Sequence, residues 1–201
     1  MLGKRASRCQ TPSRKCHSGL ASLPFVERVV ILGPGGAGKT TVANELAERT
    51  DLPVVHLDRI FWRDGWTPAP RQEAERELER VVEADRWILD GNFLFGSEHP
   101  DFRFVRADTV VFLDLPRRVC VRRVLSRRIR DRGRSRPDLP KGALEGFDLD
   151  LLRWIWRYPS VTRPRVLRLL GRLPEGVSLH HLRTPAEVRA FLESSHSTSS
   201  R

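Results

Sequence analysis

Short apolar runs alternate along this chain with longer segments of helical period. Residues 28–32, 53–57, 87–89, 109–113 and 177–182 are rich in Val, Ile and Leu and nearly continuous, as parallel strands buried on both faces must be. Between them, 39–49 brings Val42 and Leu46 to one helical face, and 71–84 does the same for Leu78, Val81 and Val82. Glu73/Arg76, Glu77/Arg80 and Glu83/Arg86 add i,i+3 pairs on the polar side of the second helix and just beyond it. Thr184-Pro185-Ala186-Glu187 reads as a capping box with proline at the first helical position, and Val188, Phe191 and Leu192 follow as its stripe. Strand and helix in alternation predict an α/β fold, a doubly wound parallel five-stranded sheet with helices on both faces.

No apolar run approaches the roughly 18 residues of a spanning helix, which excludes an integral helical membrane protein. A length of 201 residues suits one domain or slightly more. Residues 1–24 are basic and aperiodic and lack the apolar core of a secretory signal. They are expected to be a disordered arm, with an organelle transit peptide as the other reading. The Ser-rich stretch 194–201 is expected to fray, leaving 25–193 as the folded domain. The three cysteines, Cys9, Cys16 and Cys120, build no disulfide framework, so a cytoplasmic location is expected.

Gly33-Pro34-Gly35-Gly36-Ala37-Gly38-Lys39-Thr40 matches the phosphate-binding pattern G-x-x-x-x-G-K-[ST], with a predicted strand before it and a predicted helix after it. Glycines let backbone N–H groups wrap an anion where a Cβ would collide. The helix that follows aims its first amides and its dipole at the same charge. Gly33, Gly35, Gly36, Ala37, Gly38, Lys39, Thr40 and Thr41 are therefore the expected triphosphate site for ATP, with Lys39 on the β and γ oxygens and Thr40 on Mg²⁺. Asp90, at the end of a strand, is the second expected Mg²⁺ ligand, and a D-G turn with Gly91 is the other reading. Asp114 also ends a strand, before Leu115-Pro116; helix capping and metal binding are both open there. No N-K-x-D motif for guanine recognition occurs.

Trp87-Ile88-Leu89-Asp90-Gly91-Asn92 and Thr109-Val110-Val111-Phe112-Leu113-Asp114-Leu115-Pro116, the latter followed by an Arg-rich helix, resemble the adenylate-kinase-like nucleoside monophosphate kinases. Within that group the chain looks closest to the bacterial DNA topology modulation protein family. The residues that carry this are His56-Leu57-Asp58-Arg59-Ile60-Phe61-Trp62, Gly65-Trp66, Asp90-Gly91-Asn92, 132–137 and Leu152-Arg153-Trp154-Ile155-Trp156-Arg157. The resemblance implies an Mg-ATP-dependent phosphotransferase acting on a nucleoside monophosphate or another small acceptor. It places a Mg²⁺-site aspartate at Asp90 and lid-base arginines at Arg123 and Arg127, counted from Asp114-Leu115-Pro116. It also implies a short Arg-rich lid at about 130–147. Asp58, after the second strand, stands where several small-molecule kinases carry a carboxylate for the acceptor hydroxyl; helix capping is the other reading, and the acceptor site is expected within 58–85. Adenylate kinases proper carry a Thr-Gly-Asp run there, which this chain lacks.

The chain carries 36 basic and 25 acidic residues, a net charge of +11, and 116–136 holds ten arginines against one acid. Such an excess expects a polyanionic partner. On a helix, Arg123, Arg127 and Arg130 share one arc, with Val121 and Leu125 expected to face the sheet. A rival reading is therefore a nucleic-acid-associated P-loop NTPase or regulator, with the arginines and Trp62, Trp66, Trp154 and Trp156 on polynucleotide. Core anchoring is the competing role for each tryptophan.

Overall fold

The computed structural model describes residues 26–92, 102–130 and 149–195, the side chain of Trp66 aside. In chain order the strands are β1 (Arg28–Leu32), β2 (Val54–His56), β3 (Trp62–Arg63), β4 (Thr67–Pro68), β5 (Trp87–Asp90), β6 (Thr109–Leu113) and β7 (Ser178–Leu182). The helices are α1 (Lys39–Thr50), α2 (Leu57–Phe61), α3 (Arg71–Glu83), α4 (Phe102–Arg106), α5 (Arg117–Arg130), α6 (Leu149–Val161), α7 (Arg163–Leu170) and α8 (Pro185–Ser194). Five strands form one parallel sheet in the order β2-β5-β1-β6-β7. The expected lid at about 130–147 and the 1–24 arm lie, but for Arg130, outside the described residues.

Side chains alternate across the central strands as the two-residue period requires. Val29 and Ile31 of β1, Ile88 of β5 and Val111 and Leu113 of β6 pack with α1, α5 and α8 on one face. Val30, Leu32, Leu89, Val110 and Phe112 pack with α3, α4 and α7 on the other. Helix α6 contributes to both cores, through Ile155 on the first and Tyr158 on the second. Residues 29–32 are wholly buried, so truncating Ile31 to alanine is expected to cost about 2–5 kcal/mol.

Three local expectations change. The sheet-facing residues of α5 are Cys120 and Val124 rather than Val121 and Leu125, which are only partly buried. The reason is tertiary: Cys120 and Val124 are the residues on which the Gly36 backbone rests. Trp62 to Trp66, whose Arg63-Asp64-Gly65 centre reads in the sequence as a loop after Asp58, instead enter an antiparallel ribbon in which β3 pairs with β4. Helix α8 runs through Ser194 and ends on a buried Ser195 whose hydroxyl donates to the Phe191 carbonyl at 2.9 Å, past the boundary expected at 193. Its N-terminus is as expected: the Thr184 hydroxyl accepts from the Glu187 amide at 3.1 Å. The Glu187 carboxylate in turn accepts from the Arg183 amide at 2.7 Å.

Candidate active site

The strand order changes direction at β1: the chain builds β5 and β2 on one side of it and β6 and β7 on the other. In open α/β sheets the crevice at the carboxyl end of such a strand takes the ligand, and residues 33–40 leave β1 at that point. Gly33, Gly36 and Gly38 have φ of +151°, +77° and +97°, values that side chains with a Cβ rarely adopt. A Cβ on Gly36 would also strike the Cys120 carbonyl oxygen, and one on Gly33 the Leu113 carbonyl oxygen. Gly38 is the N-cap of α1 and no side chain caps that helix, so its first amides face the loop, where they can receive an anion. Lys39, the one lysine among the described residues, lies back along the loop with Nζ donating to the Pro34 carbonyl at 3.3 Å.

Asp90 ends β5 with only 6 % of its surface exposed. Its Oδ2 accepts from the Thr40 hydroxyl at 2.7 Å and from His56 Nδ1 at 3.1 Å. Burial alone would raise its pKa; the bond from His56, the charge of Lys39 and the bond from Thr40 outweigh that and hold it below the ordinary 3.8. Thr40 and Asp90 thus form a pair of hard oxygen donors, one of them ionised, beside the phosphate loop. That donor set fits Mg²⁺, which takes one or two carboxylates and completes its shell with water and substrate phosphates. Among the described residues no cluster of three or more His, Cys, Asp or Glu offers a cage for a softer metal.

Two further contacts hold the loop in shape. The Asn92 side chain accepts from the Gly33 amide at 2.9 Å and donates to the Gly33 carbonyl at 2.7 Å, so the turn after β5 grips the first residue of the loop from both sides of its backbone. Arg123 of α5 donates from Nη1 to the Ala37 carbonyl at 2.9 Å, which sets one expected lid-base arginine directly on the loop. Arg127, one turn later, is half-buried. Asp58 lies in the first turn of α2, where His56 rather than Asp58 takes the N-cap position. Trp154 packs against both cores while Trp156 is 48 % exposed, as their two-residue spacing on a helix requires.

Asp114 neither caps α5 nor stands ready for a metal. Arg163 donates from Nε to both of its carboxylate oxygens at 2.9 Å, and His181 Nε2 meets Oδ2 at 2.8 Å. His56 and Asn92 carry roles at the site that their places in the sequence did not reveal. The only signal for either was membership in the quoted runs around Asp58 and Asp90.

The isopentenyl transferase family model matches residues 26–98, the stretch from β1 past β5. An adenylate kinase of Mycobacterium leprae is 31 % identical over 86 residues, 41 % of this chain and 42 % of that protein. A shikimate kinase of Rhodococcus jostii is 28 % identical over 102 residues, 44 % of this chain and 59 % of that one. The chain therefore spans about two-fifths of the adenylate kinase and three-fifths of the shikimate kinase. Among solved structures, the shikimate kinase of Bacteroides thetaiotaomicron superposes with a TM-score of 0.52 at 18 % identity, covering 84 % of this chain and 96 % of that one. The Acinetobacter baumannii shikimate kinase in complex with shikimate gives 0.51 at 19 % identity, over 84 % and 89 %. By sequence over part of its length and by architecture over most of it, the chain has the fold of an adenylate-kinase-like P-loop kinase.

Proposed function

We propose that this protein transfers the γ-phosphate of ATP, in a Mg²⁺-dependent reaction, to a small acceptor: a nucleoside monophosphate or a hydroxyl-bearing metabolite. The observation that carries the reading is the triad of contacts at the end of β1. A glycine loop with positive φ values precedes a lysine and a threonine, and that threonine bonds a buried, ionised aspartate at 2.7 Å. A generic βα turn has no use for that arrangement.

The roles follow from chemistry and position. Gly33, Gly35, Gly36, Ala37, Gly38 and Thr41 line the triphosphate site, which the backbone amides hold. Lys39 adds a point charge to the γ-phosphate, and Thr40 with Asp90 would hold Mg²⁺. That ion supplies charge neutralisation and alignment of the phosphate oxygens. Asp58, in the first turn of α2 just past β2, orients the acceptor hydroxyl and takes its proton. Arg123 already lies on the loop, and with Arg127 it offsets the charge that spreads over the transferring group. Little covalent work is asked of the protein, because phosphoryl transfer rests on positioning and electrostatics.

Incubation with labelled ATP and a panel of nucleoside monophosphates and small hydroxylated acids and sugars tests the reading. One acceptor is expected to be labelled, and Lys39→Ala to lower that turnover on the order of 10²-fold or more at unchanged helicity. Equal turnover in wild type and Lys39→Ala would overturn it. So would polynucleotide binding with a steep log-linear salt dependence and no labelled acceptor.

A further inference from the structure

The geometry points to His56 as the residue that positions the metal-binding carboxylate, by pinning Oδ2 of Asp90 and so fixing the orientation in which Oδ1 would meet the ion. The inference rests on the phosphotransferase reading and assigns a role to a residue outside its expected machinery.

His56 is the last residue of β2 and stands in direct parallel register with Asp90 at the end of β5. Its backbone is extended, with φ −84° and ψ 112°, and its side chain makes no cap bond to α2 although it occupies the capping position. The ring is instead turned sideways along the sheet edge, with Nδ1 3.1 Å from Asp90 Oδ2. An ionised carboxylate only accepts, so His56 donates. Thr40 donates to the same oxygen at 2.7 Å. Both bonds thus fall on Oδ2, and among the described residues none falls on Oδ1.

This asymmetry matters for the ion that the donor set fits. Mg²⁺ demands near-ideal octahedral geometry and tolerates little angular error. The Thr40 hydroxyl would ligate a cation through its oxygen lone pair while its proton stays on Asp90, so that tether belongs to the same donor set as the carboxylate it holds. His56 binds Asp90 from the neighbouring strand β2 and is not part of the phosphate loop or its helix. Partners that orient a ligating carboxylate typically account for 10- to 100-fold in metal affinity.

The test compares wild type with His56→Ala, His56→Asn and His56→Gln, measuring ATP affinity by calorimetry with Mg²⁺ and again in EDTA, and binding of Mn²⁺ in the presence of ATP by its paramagnetic signal. His56→Ala is expected to weaken Mg-ATP and Mn²⁺ binding about tenfold while metal-free ATP binds as in wild type. Asn places its Nδ2 where Nδ1 stands and is expected to restore most of the loss. Gln, one methylene longer, is expected not to. If His56→Ala does not fold, the contrast between Asn and Gln carries the same information. Metal-dependent affinity unchanged in all three variants, or lost equally with and without metal, would overturn the role of His56 alone. Failure of wild type to bind ATP under either condition would overturn the phosphotransferase reading itself, and this role with it.

Discussion

Asp90 and Asp114 end strands on either side of β1, one at the carboxyl end of β5 and the other just past β6. Both are nearly buried and both bond a histidine. Their remaining partners differ in kind. Asp90 has a hydroxyl, which carries no charge, and a lysine that acts only through space. Asp114 has a guanidinium on both oxygens. Two carboxylates in equivalent places are thus sorted by one residue: Arg163 pairs with the charge of Asp114, while among the described residues no guanidinium bonds Asp90, which is why the proposed cation is assigned to it. A strand-end aspartate identifies a ligand only once its counter-charges are known.

Substitution by asparagine is the direct way to break this comparison. Asp90→Asn is expected to lower Mg²⁺-dependent phosphotransfer about 10²-fold, judged against metal-site effects elsewhere, with stability changed by less than about 1 kcal/mol. Turnover assays and urea melts of one preparation check both halves. Asp114→Asn is expected to do the reverse: it strips a half-buried arginine of its carboxylate, costing about 2 kcal/mol of stability, with turnover near wild type. Equal losses of activity in the two variants would erase the distinction. The smallest expected effect sharpens it. Asp90 has a folded pKa below 3.8, so its ionisation favours the native state, fully so above its unfolded pKa, and that contribution is lost as pH falls through the folded value. In metal-free protein, Asp90→Asn is therefore expected to show a shallower decline in melting temperature below about pH 4 than wild type; identical acid limbs would contradict the depressed pKa.

The sorting of these two aspartates was not legible along the chain, for a physical reason. Arg163 and His181 lie 49 and 67 positions from Asp114, and His56 and Asn92 reach Asp90 and Gly33 across 34 and 59. Periodicity and turn chemistry report on neighbours within a few residues, so contacts of that span escape them. What is local was readable. Strands β1 and β6 have the expected bounds because continuous apolar runs end at glycine or at Asp-Leu-Pro. The phosphate loop was readable because its backbone conformations tolerate few residues other than glycine. The inward face of α5 lies between these cases. With seven arginines in fourteen residues its apolar stripe is faint, and packing against Gly36, rather than pattern, selects Cys120 and Val124.

The strand order also bears on how the chain reaches this structure. Among the described strands β1 is the first in the chain and the central one, yet its partners are β5, which begins 55 positions beyond the end of β1, and β6, which begins 77 beyond it. As the chain leaves the ribosome, Val29-Val30-Ile31-Leu32 lacks its sheet neighbours until β5, and then β6, have been translated. Parallel pairings of such separation close slowly, and the unpaired edge of the waiting strand is open to other chains. The run that later seats the phosphate loop is therefore, among the described strands, the one that waits longest for a partner and is open longest to aggregation during synthesis.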